Sequence, residues 1–262
     1  QRAVTMILEV IYEQDFLDVS YGFRPGRSAH DAVEATRDHL RRMRGTWVIE
    51  VDIQDFFGSL DHARLREFLD ARITDGVLRR LIHKWLKAGV MDAGQWQRGT
   101  QGTPQGGVIS PLLGNIYLHE VFDRWFVDAV QPRLRGRSVA TRYADDIVMG
   151  FERREDAQRV LEVLSKRFGK YGLTLHPDKT RMYYFAPPDE EPPAEDAEEG
   201  GQEVVRGAVT HLGFTLYWGR SRKGRWVIKR KTAKSRLSRA IKAVGEWCKR
   251  HRHWSIAEQH RA

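Results

Sequence analysis

An α+β fold is what this sequence predicts, on three observations. A near-continuous β-type run, Thr46-Trp-Val-Ile-Glu-Val-Asp-Ile53, has the composition of a buried strand. A second β-favouring region, Val139–Phe151, is interrupted by Tyr143-Ala144-Asp145-Asp146. That pattern reads as two strands joined at a tight bend, with the carboxylates at or beside it. Amphipathic stretches with apolar residues at helical spacing lie before, between and after these strands.

Taken in order, residues 3–12 read as the end of an apolar helix. Gly22, Pro25 and Gly26 enforce a turn in Tyr21–Ser28. Ser28, with Asp31 three residues on, forms a capping box that opens a helix to about Arg44. Arg24 and Arg27 then stand on a rigid loop ahead of a helix N-terminus, a place that suits phosphate. A structural role is the commoner use of such a turn. Asp61 is a helix N-cap candidate after the first strand. Helices near 61–72 and 75–88 carry Leu65, Phe68, Leu69, Leu78, Leu81, Ile82, Trp85 and Leu86 as a core stripe.

Residues 90–98 read as a short hairpin turning at Ala93-Gly94. Gly99–Gly107 packs four glycines into nine residues, which allows backbone to approach a ligand closely. The spacing is neither that of a P-loop nor that of a dinucleotide fingerprint. Ser110 as N-cap and Pro111 at the first helical position open a largely buried helix to about Val130. An amphipathic helix over 154–171 follows the Asp-Asp bend, then short strands around 173–175 and 181–185. Residues 187–203 hold eight acidic residues and no Lys or Arg, the composition of a disordered insertion. Strands over 211–217 and 225–230 and a basic helix over 232–250 complete the chain, with Ser255 capping one more.

Composition narrows the function. At 262 residues and 41% hydrophobic, the chain can bury a sizeable core in one large domain or two small ones. No apolar run is long enough to span a bilayer, and no secretory signal is present. The single cysteine, Cys248, excludes an internal disulfide and a Cys-based zinc site, and it fits a reducing cytoplasm. A first residue of Gln points to a piece of a longer chain. From Arg220 onward 15 Lys/Arg face two Glu, which suggests a polyanion, nucleic acid first among them. A solvated helix face is the bland alternative, which the interleaved Trp226, Trp247 and Trp254 disfavour. His30, His62, His83, His119 and His176 have no ligand spacing and read as helix-surface or capping residues.

Adjacent aspartates resist joint ionisation unless a cation is shared. Hard, oxygen-seeking Mg²⁺ removes that penalty. Asp145-Asp146 alone would read as a solvated turn. Asp52, a third carboxylate at the end of another strand, is costly there unless paired, metal-bound or at a rim. Carboxylates converging from separate elements suggest two-metal phosphoryl transfer, with cations roughly 3.5–4 Å apart clamping the attacking and leaving oxygens.

Val51-Asp-Ile-Gln-Asp-Phe-Phe57, Gly102-Thr-Pro-Gln-Gly-Gly-Val-Ile-Ser-Pro-Leu-Leu113 and Arg142-Tyr-Ala-Asp-Asp146 stand in the order and spacing of reverse transcriptases. Tyr21–Ser28 with His30-Asp31-Ala32, Gly172–Leu175 through Lys179-Thr180, and Leu212-Gly-Phe214 resemble the group II intron type, including its intron-encoded maturases. The resemblance implies a right-hand polymerase. Residues 1–45 would be a fingers remainder and 46–218 a ferredoxin-like palm with the acidic insertion. Residues 219–262 would begin an α-helical thumb or maturase region, with the N-terminal fingers extension and most of the thumb missing.

The resemblance also implies RNA-directed DNA synthesis from dNTP on a DNA or RNA primer over an RNA template, in a bacterial cytoplasm. It implies catalysis by Asp52, Asp145 and Asp146, with two Mg²⁺ (or Mn²⁺) bound by these and Ile53. Phe56, Phe57, Gln105 and Gly106 would meet the nucleotide, Phe57 excluding ribonucleotides by steric clash. Arg24, Arg27, Tyr143, Lys179, Lys229, Arg230, Lys231 and Lys234 would contact nucleic acid, group II intron RNA included. No membrane and no disulfide partner is implied. Two departures stand out: Asp55 where a small residue is usual, and Gly58 where Asp is common. The alternatives are an RNA-binding splicing maturase or catalytically incomplete remnant, and a CRISPR-associated or antiphage reverse transcriptase.

Overall fold

A computed structural model describes residues 1–43, 45–87, 90–92, 95–97, 101–103, 107–193, 204–255 and 258. Its centre is an antiparallel sheet of four strands, β1 (Thr46–Val51), β4 (Ser138–Tyr143), β5 (Asp146–Phe151) and β6 (Arg181–Phe185). Their order is β4-β5-β1-β6, with helix α7 (Arg154–Lys170) linking β5 to β6. This is the ferredoxin-like arrangement expected of a palm, with β1 and β5 inside. Short strands β2 (Val90–Asp92) and β3 (Gln95–Gln97) pair apart from it, as predicted. The expected turn at Ala93-Gly94 and the helix end at Arg44 lie outside the described residues.

Every residue of β1 is buried because both sheet faces are covered. Alternation sends Trp47, Ile49 and Val51 to one face. There they join a core with α1 (Arg2–Tyr12), α4 (His62–Arg72), α5 (Gly76–Lys87), α6 (Ser110–Leu118) and α7. Val48, with Val148, Tyr183 and Phe185, turns to the other face. That face meets Val33 and Leu40 of α2 (Ala29–Met43) and a second sheet. The second sheet is β7 (Val209–His211), β8 (Phe214–Arg220) and β9 (Trp226–Thr232).

Both outer strands of the palm sheet are met by short extended pieces of chain. Arg142 N donates to Val19 O at 2.7 Å and Tyr21 N to Arg142 O at 2.8 Å along β4. On β6, Tyr184 N donates to Val205 O at 2.9 Å and Gly207 N to Tyr184 O at 3.3 Å.

The predicted capping box forms. Asp31 Oδ2 accepts from Ser28 N at 2.8 Å, and Ser28 Oγ accepts from Asp31 N at 3.3 Å. Asp61 caps α4 by accepting from Ala63 N and Arg64 N. Other expectations shift. Ser110 is already helical, so the cap position falls to Ile109. The helix after it loosens into π-helical turns over His119–Asp123 and Trp125–Val130. Of Leu173–Leu175, Leu175 pairs with Ile53 as an isolated bridge.

The run read as one strand from His211 breaks at Leu212-Gly213, where φ is +52° and +79°. Positive φ at both central residues makes the tight hairpin turn whose twist suits the flanking strands. β8 and β9 pair from Phe214↔Thr232 to Arg220↔Trp226, so the boundary expected at 218/219 cuts a hairpin. Helix α8 (Lys234–His251) follows β9 directly and buries none of its residues.

Candidate active site

Sheet register gathers the three aspartates at one end of the palm. Val51 pairs with Ile147, which sets Asp52 and Asp146 at neighbouring ends of the two central strands. Tyr143 pairs with Asp146, leaving Ala144-Asp145 as a two-residue turn. Ala144 is left-handed, φ +55°, a conformation costly for a residue with a Cβ unless its surroundings enforce it. Burial, and then the charges of Asp146 and Asp52, push the Asp145 carboxyl above its usual 3.8. That crowding of negative charge is what a divalent cation relieves, and the donors are the hard carboxylate oxygens that Mg²⁺ prefers. By donor chemistry the site fits the ion.

As they stand, two of the carboxylates face protein partners. Asp52 Oδ2 accepts from Lys179 Nζ at 3.1 Å. Asp146 meets His211 Nδ1 at 3.3 Å, and its Oδ2 accepts from Leu212 N at 3.4 Å. Among the described residues no three His, Cys, Asp or Glu side chains are gathered tightly enough to hold a metal. Ile53 follows Asp52 at this edge, 4% exposed and bridged to Leu175.

Phe56 is buried in the core, contrary to a nucleotide-facing role, because α3 (Phe56–Ser59) turns it inward. Phe57 is half-buried beside it, ring centroids 5.1 Å apart. Its carbonyl accepts from Thr103 N at 2.8 Å, and Leu60 O accepts from Gly102 N at 2.8 Å. His62 is buried, contrary to a surface role, with Nε2 2.5 Å from Gly102 O. These bonds tie the start of the glycine loop to the segment bearing Phe57; Gln105 and Gly106 lie outside the described residues. Asp55 and Gly58 form one feature. Asp55 is left-handed, φ +39°, and its carboxylate lies where a Cβ on residue 58 would project.

The basic candidates divide. Arg24 is buried and committed, donating to Glu13 (2.6 Å), Leu17 O and Ser20 O (both 2.8 Å), so it braces the loop rather than facing nucleic acid. Arg27 is partly exposed, donates to Asp18 and Ser20 O, and lies over the Tyr21 ring. Tyr143, half-buried, packs on Phe23. Lys179 is at Asp52. Lys229 and Lys231 share the open face of β9 with Tyr217, over whose ring Lys231 lies. Arg230, on the packed face, reaches the Phe214 ring and Glu34. Lys234 is exposed at the start of α8.

Nothing in the sequence marks His211, Asn115 or Asp123 as part of a site, and Glu50 is marked only weakly. Glu50 sits in an apolar run, and a charge placed there was the one signal available. It holds the two sheets together, accepting from Tyr183 Oη, Thr210 N and Arg181 Nη2 at 2.5, 2.7 and 2.6 Å.

An antiparallel palm with three carboxylates at one end defines a polymerase-type fold, and solved structures agree. Telomerase from Candida albicans, with a TWJ fragment of telomeric RNA, superposes with a TM-score of 0.62 at 15% identity. The match covers 88% of this chain and 38% of that one. Apo telomerase from Candida tropicalis gives 0.60 at 15% identity over 88% and 44%. The chain belongs to the reverse transcriptase (RNA-dependent DNA polymerase) family, whose pattern residues 1–216 match.

Protein YkfC of Escherichia coli is 38% identical over 221 residues, 70% of this chain and 56% of that protein. The group II intron-encoded protein LtrA of Lactococcus lactis is 38% identical over 177 residues, 64% of this chain and 29% of that protein. The chain thus spans little more than half of one relative and under a third of the other. No helix among the described residues is long and apolar enough to cross a membrane.

Proposed function

We propose that this chain is the catalytic part of an RNA-directed DNA polymerase of group II intron type. It would transfer nucleotides from dNTP to a primer 3′-hydroxyl on an RNA template. The observation that carries this is the convergence of Asp52, Asp145 and Asp146 at one end of the two central palm strands, in a chain of the reverse transcriptase family. These three carboxylates would hold Mg²⁺ or Mn²⁺. Bound there, the ions lower the pKa of the 3′-hydroxyl and offset charge on the departing pyrophosphate.

The protein's own contribution is position. The Ala144-Asp145 turn aims one carboxylate, and β1 delivers the second. The half-buried Phe57 ring supplies a wall beside the sugar. The open cationic face of Lys229 and Lys231, with Lys234 beyond it, suits a duplex backbone. The likeness to LtrA, by its name an intron-encoded protein, points to intron RNA as a further partner.

A splicing maturase that binds RNA without synthesis is the second reading, favoured by the exposed basic helix α8. Incorporation of dNTP on a primed RNA template by the full-length protein separates the two. Asp145→Ala should abolish incorporation while leaving salt-dependent RNA binding intact. Unchanged incorporation by that variant overturns the polymerase reading. Absence of incorporation by the wild type, with steep salt-dependent RNA binding, favours the maturase.

A further inference from the structure

One fully buried guanidinium beside the catalytic turn uses every one of its N–H donors, and it belongs neither to the aspartate triad nor to the exposed cations. Arg142 is 0% exposed. Its Nε and Nη2 donate to the two carboxylate oxygens of Asp123 at 2.7 and 2.6 Å. Nη2 also donates to Ser20 Oγ at 2.7 Å, and Nη1 to Asn115 Oδ1 at 3.0 Å. The remaining bond runs from Nη1 to Ala144 O, also at 3.0 Å. The fork geometry of a guanidinium is thereby used in full.

Each partner comes from a different part of the fold. Asp123 ends the π-helical turn, Asn115 lies in α6, Ser20 in the segment along β4, and Ala144 in the turn that carries Asp145. Asn115 extends the network, donating Nδ2 to Gly22 O at 2.6 Å. Gly22 in turn lies flat against the turn. A Cβ there would stand 3.0 Å from Tyr143 C and closer still to Ala144 N.

A buried ion pair is a weak source of net stability, because desolvation offsets its Coulombic gain, and apolar replacements are often neutral. Apolar side chains could fill this volume. They could not donate to the Ala144 carbonyl. That oxygen belongs to the planar peptide joining Ala144 to Asp145. Fixing it fixes the peptide plane, and with it the direction in which Asp145 leaves the chain. It also explains how Ala144 is held in a left-handed conformation that its Cβ disfavours.

We propose that Arg142 is the positioning residue of the catalytic turn, aiming Asp145 by locking the Ala144–Asp145 peptide against Asp123, Asn115 and Ser20. Gly22 packs its backbone against the same turn. The segment Val19–Gly22 is therefore part of the metal site's frame. This rests on the polymerase reading above, since the carboxylate being aimed is taken as a metal ligand.

The test uses the full-length protein and the variants Arg142→Lys, Gly22→Ala and Ser20→Ala. Lysine keeps the charge opposite Asp123 and loses the planar fork, while Gly22→Ala displaces the turn without touching a buried charge. Two quantities are read: Mn²⁺ binding by electron paramagnetic resonance, and the half-saturating Mg²⁺ concentration for single-nucleotide addition. Loss of a residue supporting a metal ligand typically costs roughly 10- to 100-fold in metal affinity. Arg142→Lys and Gly22→Ala should both weaken Mn²⁺ binding and raise the Mg²⁺ requirement by that order, with primer–template affinity unchanged.

Folded variants that bind Mn²⁺ as the wild type does would overturn the proposal. Should Arg142→Lys fail to fold, Gly22→Ala and Ser20→Ala decide, the latter removing a single hydroxyl from the hub. Asp145→Ala serves as the control. If it incorporates dNTP normally, the polymerase reading fails. If it is inactive while the Arg142, Gly22 and Ser20 variants bind Mn²⁺ normally, only the positioning role fails.

Discussion

Replacing Glu50 with alanine should unfasten the second sheet from the palm. Its carboxylate is the shared acceptor for Tyr183 Oη, which is buried, and for the backbone N of Thr210, an exposed residue of the second sheet. Burial, and then the charge of Glu50, push the Tyr183 hydroxyl well above its usual value, so it stays a donor at any working pH. Removing the acceptor leaves the Tyr183 hydroxyl only its longer bond to Ala208 O at 3.4 Å, a cost of about 1–3 kcal/mol, and frees Thr210 N, at an exposed residue, at a smaller cost. The Arg181 side chain is 56% exposed, so its pair with Glu50 adds at most about 1 kcal/mol.

The expected loss for Glu50→Ala is therefore about 2–4 kcal/mol. Urea unfolding with an unchanged m-value measures it. Tyr183→Phe added to Glu50→Ala removes the hydroxyl left on that longer bond and should recover about 1 kcal/mol of the loss. A Glu50→Ala loss below about 1 kcal/mol, or no recovery in the double variant, refutes the account. Thr210 leads directly into His211 and Leu212 at Asp146, so incorporation should fall along with stability.

Two further outcomes are expected. Phe57→Ala should admit ribonucleotides, cutting dNTP-over-rNTP discrimination by roughly 10- to 200-fold; equal rejection by the variant removes the gate assignment. Asp145→Asn should raise the melting temperature in chelator at neutral pH, by roughly 2–4 °C for each kcal/mol of repulsion relieved. The native carboxyl sits above its usual 3.8, so the folded state holds a proton longer than the unfolded chain. The contribution of Asp145 to wild-type stability, read as the difference from the Asn variant, should fall as pH rises from about 3.8 through the native value. The Asn variant lacks that decline, and parallel curves for the two proteins would contradict it.

Much of the fold was legible because period and punctuation agree. The β-type run of β1 and the capping pairs at Ser28–Asp31 and Asp61 announce elements that then form. The Asp145 bend was legible for the same reason, since β-favouring runs flank it. What stayed hidden depends on contacts between distant residues. Arg24 and Arg142 carry the same charge in the sequence. One meets Glu13 and loop carbonyls, the other a carboxylate 19 residues earlier and a hydroxyl 122 residues away. Phe56 and Phe57 are neighbours of identical chemistry, and only the direction of a one-turn helix sends the first into the core. Nothing near His211 in sequence names Asp146, 65 residues away, as its partner.

The short pieces of chain along β4 and β6 have a consequence for how the molecule behaves among its copies. A bare outer strand is a template on which a neighbouring chain can add a strand of its own, the first step toward fibres or swapped dimers. Here Val19–Tyr21 occupies one border of the sheet and Val205–Gly207 the other, each through a pair of hydrogen bonds. Trimming the chain back past Tyr21 would strip one border bare, and such a truncated protein should aggregate from concentrated solution before it loses its secondary structure.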